Sequence, residues 1–173
     1  MSSPCAEPRE EERRGLQVTN QGGWHSPTDL LADPLLQPIF HWIAGCTTQA
    51  LHGLDWYLAR AVTYFNNAWA MVNRRGDSVR AHLHPNSLFN RVFYITAPEG
   101  SGTIAFLDPH SGSQMLLPPL AEPDSNFARG RVRFAPARGR LLLFPAWAWH
   151  EVEQSAGDKL RICVSFNIGM KPV

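Results

Sequence analysis

Three histidines in two separate stretches are the residues of this sequence best suited to bind a metal. His82 and His84 are separated by one residue, so on an extended strand both imidazoles point to the same face. His150 lies 68 residues after His82 and follows an apolar run that predicts a buried strand. Two histidines on one strand and a third at the start of another suit a mononuclear site in a β-barrel, and imidazole suits Fe, Zn, Cu and Ni. Since the His-x-His spacing alone is a weak signal, ordinary barrel or surface histidines are the alternative.

The last apolar strand of the sequence begins with an arginine that could bind an acid. From Arg161 onwards, polar and apolar side chains alternate, so Arg161, Cys163, Ser165 and Asn167 share one face. A polar face that starts with arginine indicates a strand lining a cavity, and a solvent-facing edge is the alternative. The planar guanidinium matches a carboxylate bidentately, so Arg161 is predicted to bind a carboxylate, with Ser165 adding a second hydrogen bond.

Composition and charge restrict the classes of partner. With 173 residues, of which 44% are hydrophobic and 18% charged, the chain is typical of one globular domain. A net charge of +1 gives no indication of nucleic acid as a partner. No run approaches the roughly 18 consecutive apolar residues of a membrane helix, so no membrane partner is expected. The cysteines Cys5, Cys46 and Cys163 lack metal or redox spacing and fit free thiols, so a cytoplasmic location is expected.

The chain divides into three segments. Residues 1–18 are polar and predict a disordered tail, and residues 19–65, with apolar residues at helical spacing, predict a helical segment. Residues 66–173 predict some eight short strands separated by turns, including a short strand at 113–117 and a long loop at 118–129. The predicted fold is therefore mainly β: a double-stranded β-helix, or jelly-roll/cupin-like barrel, with N-terminal helices packed on the sheet.

An ordered series of short sequence elements resembles the small "2OG-Fe(II) oxygenase 5" type of 2-oxoglutarate/Fe(II)-dependent oxygenases. The resemblance covers roughly residues 20–170. It includes Gly23-Trp-His-Ser26, which is similar to a Gly-Trp-Gln-Ser element of that family, although His25 itself is expected to be a surface or turn residue. The other elements are Trp69 to Asn73, Gly76-Asp77, His82 to Ser87, Val92 to Tyr94, Gly102 to Pro109, Gly139 to Pro145, His150, and Arg161 to Asn167.

The resemblance implies a jelly-roll barrel with iron at its mouth and with 2-oxoglutarate and O2 as cosubstrates. It implies that His82 and His150 are Fe(II) ligands and that Arg161, 11 residues after His150, binds the distal carboxylate of 2-oxoglutarate. Asn90, Tyr94 and Ser165 are further candidates for binding the cosubstrate.

The sequence departs from the family pattern in two places. The usual carboxylate ligand, two residues after the first histidine, is replaced by His84, so a three-histidine site is expected, with Asp108 ranked below it as third ligand. Such a site lacks one negative charge, which raises the question of how charge is balanced. Secondly, Phe89-Asn-Arg91 stands where relatives commonly show a Ser-Gly pair. This departure predicts a bulky, basic group near the pocket and an altered choice of substrate.

The function implied is that of a 2-oxoglutarate-dependent dioxygenase acting on a small molecule. Hydroxylation, with release of succinate and CO2, is the expected outcome, and desaturation or ring closure would use the same residues. One alternative is a three-histidine, cupin-type thiol dioxygenase that needs no 2-oxoglutarate; another is a catalytically inactive barrel that binds a metal. The sequence is compatible with a monomer or a homodimer and does not identify the substrate.

Overall fold

Ten β-strands and one α-helix form the described part of this computed structural model, which covers residues 15–54, 60–110, 115, 119, 121 and 130–173. The helix α1 spans Gln37–His52 and is preceded by two 3-10 turns, Leu30–Ala32 and Pro34–Leu36. The strands are β1 (Asn20–Gln21), β2 (Trp24–His25), β3 (Ala61–Asn73), β4 (Ser78–His82), β5 (Phe89–Thr96), β6 (Ile104–Leu107), β7 (Arg131–Phe134), β8 (Leu141–Pro145), β9 (His150–Val152) and β10 (Arg161–Pro172).

The strands form two five-stranded antiparallel sheets. The minor sheet has the order β1-β4-β9-β6-β7, and the major sheet has the order β2-β3-β10-β5-β8. Strand β10 lies at the centre of the major sheet; it pairs with β3 from Arg161 to Pro172 and with β5 from Ile162 to Ile168. Consecutive strands often lie in different sheets, so the chain winds between the two layers. This is the predicted double-stranded β-helix.

The core between the two sheets is made of side chains from both of them. Val79, Ile104 and Val152 come from the minor sheet and pack with residues of the major sheet such as Val92 and Cys163. Because side chains on a strand alternate between faces, each strand that contributes to this core also presents a second face outwards.

Helix α1 covers the outer face of the major sheet. Phe40 and Ile43 of the helix pack against Ala68, Val164 and Phe166, and the rings of Phe40 and Phe166 meet edge to face at 5.5 Å. Pro38 in the first turn is compatible with the helix, since its missing N–H has no intrahelical partner there. The apolar face of β10 is therefore buried under the helix, which leaves its polar face for the interior between the sheets.

The structure corrects two predicted boundaries. Residues 15–18 do not belong to a disordered tail, because the Leu16 amide donates to the His25 carbonyl at 2.8 Å. Residues 19–65 are not uniformly helical: they contain β1 and β2, which pair with β4 and β3, and β3 begins at Ala61. A strand of two residues is too short to show an alternating pattern and is stabilised by pairing with strands distant in the sequence. Local sequence patterns therefore do not predict β1 and β2. The predictions for residues 1–14, for the strand at 113–117 and for most of the loop at 118–129 lie outside the described residues.

Within the ranges that the structure describes, no helix combines the length and apolar character needed to cross a membrane.

Candidate metal centre

The pairing of β4 with β9 brings two of the three histidines together. His82 and His150 are directly opposite each other in this antiparallel pair, and their ring centroids are 4.3 Å apart. Val79 is opposite Val152, so three steps along β4 match two steps along β9, and β4 contains one extra residue. Without this bulge Ala81, rather than His82, would lie opposite His150.

His84 reaches the same point from outside the strand. Strand β4 ends at His82, so the predicted extension of the strand through His84 is wrong, and His84 is held by its amide donating to the Ala146 carbonyl at 3.0 Å. Its Nε2 lies 3.3 Å from Nε2 of His150, and the ligand atoms of all three histidines lie within 4.8 Å of one another. Two nitrogens bound at roughly 2.1 Å to one ion and at right angles to each other are about 3 Å apart. The cluster therefore fits a single metal ion.

Hydrogen bonds to the backbone fix two of these imidazoles in the tautomer that ligates through Nε2. Nδ1 of His82 donates to the Arg80 carbonyl at 2.8 Å, and Nδ1 of His150 donates to the Ala148 carbonyl at 2.9 Å. A carbonyl oxygen only accepts, so the proton is on Nδ1 and the lone pair is on Nε2. Such bonds also fix the orientation of the ring, which prepares the site before metal arrives.

Burial keeps the three imidazoles neutral. Burial and the neighbouring His150 and His82 lower the pKa of His84 to about 3, and burial together with His82 lowers the pKa of His150 to about 4. Burial also lowers the pKa of His82. A neutral imidazole has a free lone pair, so no proton needs to be displaced for metal binding near pH 7.

The three histidines face a cavity of about 280 Å³ between the sheets, and Arg161 lines the same cavity. As the alternation along the last strand predicts, Cys163, Ser165 and Asn167 line it with Arg161. The histidines are attached to the minor sheet or follow its strand β4, whereas Arg161 starts the central strand of the major sheet. The candidate site is therefore assembled across the two sheets.

Arg161 is buried without a counter-charge. It is 2% exposed, and no carboxylate of the described residues lies within ion-pair distance of it. One guanidinium nitrogen, Nη1, donates to Oδ1 of Asn73 at 2.8 Å, while Nε has no hydrogen-bond partner among the described residues. A buried, unpaired charge is costly, so this geometry favours an anionic ligand in the cavity.

The three weaker candidates for cosubstrate binding occupy different positions. Ser165 and Asn90 line the cavity, and the Asn90 side chain donates to Oδ1 of Asn167 at 2.8 Å. Tyr94 does not line the cavity: it is fully buried, and its ring centroid lies 5.1 Å from Cζ of Arg161. Tyr94 thus contacts Arg161 through its ring rather than facing the cavity. The Tyr94 hydroxyl has no geometrically defined hydrogen bond within the described part of the chain.

Two residues singled out in the sequence lie elsewhere. Asp108 is outside the histidine cluster and the cavity lining, and it accepts hydrogen bonds from the backbone and ring of His110. The expectation of a basic group near the pocket at Arg91 is wrong. Arg91 points to the opposite face of β5, where it is 1% exposed and donates from Nη1 to the Ile43 carbonyl of helix α1 at 2.7 Å.

His25 and Trp69 are cavity residues whose place the sequence analysis missed. His25, expected at a turn or on the surface, is 5% exposed and lines the cavity. Its ring stacks on Trp69 at 5.7 Å, and Trp69 also lies 5.7 Å from the ring of His84. The resemblance of Gly23-Trp-His-Ser26 to a family element was the one signal that could have placed His25 in the site.

Comparison with solved structures shows the same fold at low sequence identity. HygX from Streptomyces hygroscopicus, with nickel and 2-oxoglutarate bound, is 14% identical with a TM-score of 0.57, over 93% of this chain and 76% of that one. A prolyl-4-hydroxylase from Pseudomonas putida is 16% identical with a TM-score of 0.55, over 91% and 82%. An oxidoreductase of the 2OG-Fe(II) oxygenase family from Burkholderia pseudomallei is 14% identical with a TM-score of 0.46; the match covers 62% of this chain and 44% of the other.

The sequence itself carries the family assignment. No curated protein matches the chain. A family model described as "Putative 2OG-Fe(II) oxygenase" matches residues 67–167, which is more than half of the chain and includes His82, His84, His150 and Arg161. With this match, and with a double-stranded β-helix that encloses a histidine cluster, the chain belongs to the 2OG-Fe(II) oxygenase family.

Proposed function

We propose that this protein is a non-haem Fe(II)/2-oxoglutarate-dependent oxygenase that acts on a small molecule. The observation that carries the proposal is one cavity containing both a three-histidine cluster and a buried arginine without a carboxylate partner among the described residues. The first suits a divalent ion with open coordination positions, and the second suits one end of a dicarboxylate.

His82, His84 and His150 would hold the Fe(II). Three protein ligands leave coordination positions for other groups, as in the usual arrangement of two histidines and one carboxylate. When bound, Fe(II) together with 2-oxoglutarate and O2 supplies the chemistry that oxidises a C–H bond, with release of succinate and CO2. Hydroxylation is the proposed outcome.

Arg161 would anchor the distal carboxylate of 2-oxoglutarate. Asn73 accepts from one nitrogen of the guanidinium and so fixes its plane, while Nε has no hydrogen-bond partner among the described residues. The Ser165 hydroxyl, two residues along the same face of β10, can donate a further hydrogen bond. A carboxylate at this point would replace an unpaired buried charge by a paired one.

The other cavity walls exclude water and limit the size of the substrate. Trp69, Val92, Ile104 and Phe144 contribute apolar surface to the lining. An apolar wall strengthens the electrostatic interactions inside a site and protects reactive species from side reactions. A cavity of about 280 Å³ suits small molecules rather than a folded macromolecule.

The test is a titration without oxygen. Purified protein is loaded with Fe(II), and 2-oxoglutarate is added while the visible spectrum is recorded. Chelation of Fe(II) by the keto acid gives a weak charge-transfer band, which is expected to saturate in the wild type, to be absent in His150→Ala and to need more 2-oxoglutarate in Arg161→Ala. An exposed histidine of helix α1 provides the matched control, since His41→Ala leaves the cavity intact.

A three-histidine thiol dioxygenase is the second candidate, and the histidine set itself favours it. In that case Arg161 would bind the carboxylate of a thiol substrate. Fe(II) binding without the 2-oxoglutarate band, together with O2 consumption when a thiol acid is added, would overturn our proposal in favour of this one. Failure to bind Fe(II) at all would contradict both.

A further inference from the structure

The replacement of the family's carboxylate ligand by His84 leaves a cavity without acidic side chains. Of the residues that line the cavity within the described ranges, none is Asp or Glu, and Arg161 is the one that carries a permanent charge. The other polar groups in the lining are neutral amides, hydroxyls and imidazoles, including Asn67, Thr19, Thr28 and His25. Any negative charge in this cavity must therefore come from a ligand.

If the proposed function is right, the charges of the metal ion, of Arg161 and of 2-oxoglutarate do not cancel in this cavity, and a positive charge remains. The distal carboxylate of 2-oxoglutarate neutralises Arg161, and its second carboxylate neutralises one of the two charges of the metal ion. In a site with two histidines and one carboxylate, the protein's acid neutralises the other. Here the three ligating imidazoles are neutral, so one positive charge is left at the ion.

That excess charge is located where solvent can compensate it only in part. His150 is 4% exposed, and the apolar residues Trp69, Val92 and Phe144 surround the same space. A charge in such low-dielectric surroundings attracts a counter-ion much more strongly than it would in water. Apart from Arg161, which the distal carboxylate of 2-oxoglutarate neutralises, no side chain of the described lining carries a permanent positive charge that would attract the counter-ion away from the metal.

We propose that the primary substrate brings the missing charge, and that it is a small monoanion, a carboxylic acid, whose carboxylate binds beside His84. The size of the excess favours a carboxylate over a phosphate ester, because one negative charge balances the site and two would leave it negative. His84 is thereby a specificity-determining residue, since a neutral imidazole at this position accepts an anion that an aspartate would repel.

The experiment measures anion binding without turnover. Ni(II) is used as the ion because it does not support the reaction, and sodium formate is titrated by calorimetry into protein saturated with Ni(II) and 2-oxoglutarate. Formamide, similar in shape but neutral, is the matched ligand control. Three proteins are compared: the wild type, His84→Asp, and His84→Asn, which has the shape of aspartate without its charge. Bound nickel is quantified for each, so that affinities refer to loaded sites.

We expect formate to bind the wild type and His84→Asn, and to bind His84→Asp at least about tenfold more weakly, because a carboxylate at about 4 Å repels the anion. Formamide affinity should not differ between the aspartate and asparagine variants. Equal formate affinity in His84→Asp and His84→Asn, or no formate binding to wild-type protein that binds 2-oxoglutarate, overturns the inference and leaves the proposed function standing. Failure of wild-type protein to bind 2-oxoglutarate instead removes the proposed function itself. If the variants do not fold, preference for formate over formamide in the wild type decides the matter.

Discussion

Arg161 combines deep burial with the absence of an acidic partner among the described residues, which makes it unusual at the scale of one residue. Asn73 satisfies one of its N–H groups, and its charge has no compensating carboxylate among the described residues. Removing a charge from water costs several kcal/mol unless a partner offsets it. An uncompensated buried charge destabilises the ligand-free protein, and its presence is best explained by an anionic ligand that binds to it.

Substitution of Arg161 should therefore weaken the binding of 2-oxoglutarate strongly while changing the free energy of unfolding only slightly. We expect Arg161→Met to change the free energy of unfolding of the metal-free protein by less than about 2 kcal/mol, because the loss of the Asn73 hydrogen bond is offset by the removal of an unpaired charge. The affinity for 2-oxoglutarate should fall at least about 100-fold, since a charge-paired carboxylate is lost. Urea unfolding and calorimetric titration of Ni(II)-loaded protein provide the two measurements.

Arg75→Met is the control for that experiment, because Arg75 is an exposed arginine whose ion pair with Asp158 lies on the surface. It should alter neither quantity appreciably. A purely structural role for Arg161 predicts the reverse pattern, with a large loss of stability in Arg161→Met and unchanged affinity for 2-oxoglutarate.

At the scale of single elements, strand β5 faces the cavity between the sheets with one side and helix α1 with the other. Asn90 and Val92 line the cavity, whereas Phe89 and Phe93 pack on the other face with residues of helix α1 and its surroundings. Arg91 shares the face of these phenylalanines and binds the Ile43 carbonyl. It therefore fixes the helix to the sheet instead of selecting a substrate.

The role of Arg91 as a tie between helix and sheet can be tested by removing its side chain. Arg91→Ala should destabilise the protein by about 2–4 kcal/mol, because a large buried side chain and its hydrogen bond are lost together. The affinity for 2-oxoglutarate per folded molecule should stay within about twofold of the wild type, since the cavity faces the other way. A selective loss of 2-oxoglutarate affinity at unchanged unfolding free energy would contradict this assignment.

Alternation of polar and apolar residues predicts the orientation of side chains on some strands, but it does not predict features that depend on pairing between distant strands. The polar face of β10 follows from a period-two pattern, and the structure shows it. The histidine cluster was also expected, but His84 reaches it from beyond the end of β4 and His150 through the pairing of β4 with β9, so the period-two pattern does not account for it. The same parity places Arg91 with Phe89 and Phe93, so its orientation could have been predicted but was not. The position of His25 depends on a two-residue strand held by β3, and the bulge in β4 depends on pairing with β9. Both are consequences of long-range contacts that a local pattern does not encode.

For the whole molecule, the site connects two layers that otherwise meet through apolar contacts. The three histidines proposed as metal ligands lie on the minor sheet or just after its strand β4, and Arg161 lies on the central strand of the major sheet. A ligand that contacts the ion at one end and Arg161 at the other would therefore join the two sheets.

Joint binding of metal and 2-oxoglutarate should raise the midpoint of thermal unfolding. At concentrations about 100-fold above the dissociation constant, a ligand of the native state stabilises by about 2.7 kcal/mol, which for a chain of this size corresponds to about 5–10 °C. Differential scanning fluorimetry with Ni(II) and 2-oxoglutarate measures the shift. In His150→Ala the increase should be largely lost, and an undiminished increase there would mean that the ligands bind elsewhere.

The extra residue in β4 has a consequence for how this protein can change in length during evolution. Deleting one residue between Val79 and His82 would remove the bulge, because two steps along β4 would then match two steps along β9, and the histidine would still lie opposite His150. The connection between β6 and β7 joins neighbouring strands that carry none of the three histidines and does not include Arg161. Homologous chains that keep the three histidines should therefore show either the present spacing from Val79 to His82 or a spacing shorter by one residue, and they should vary more in length between Leu107 and Arg131.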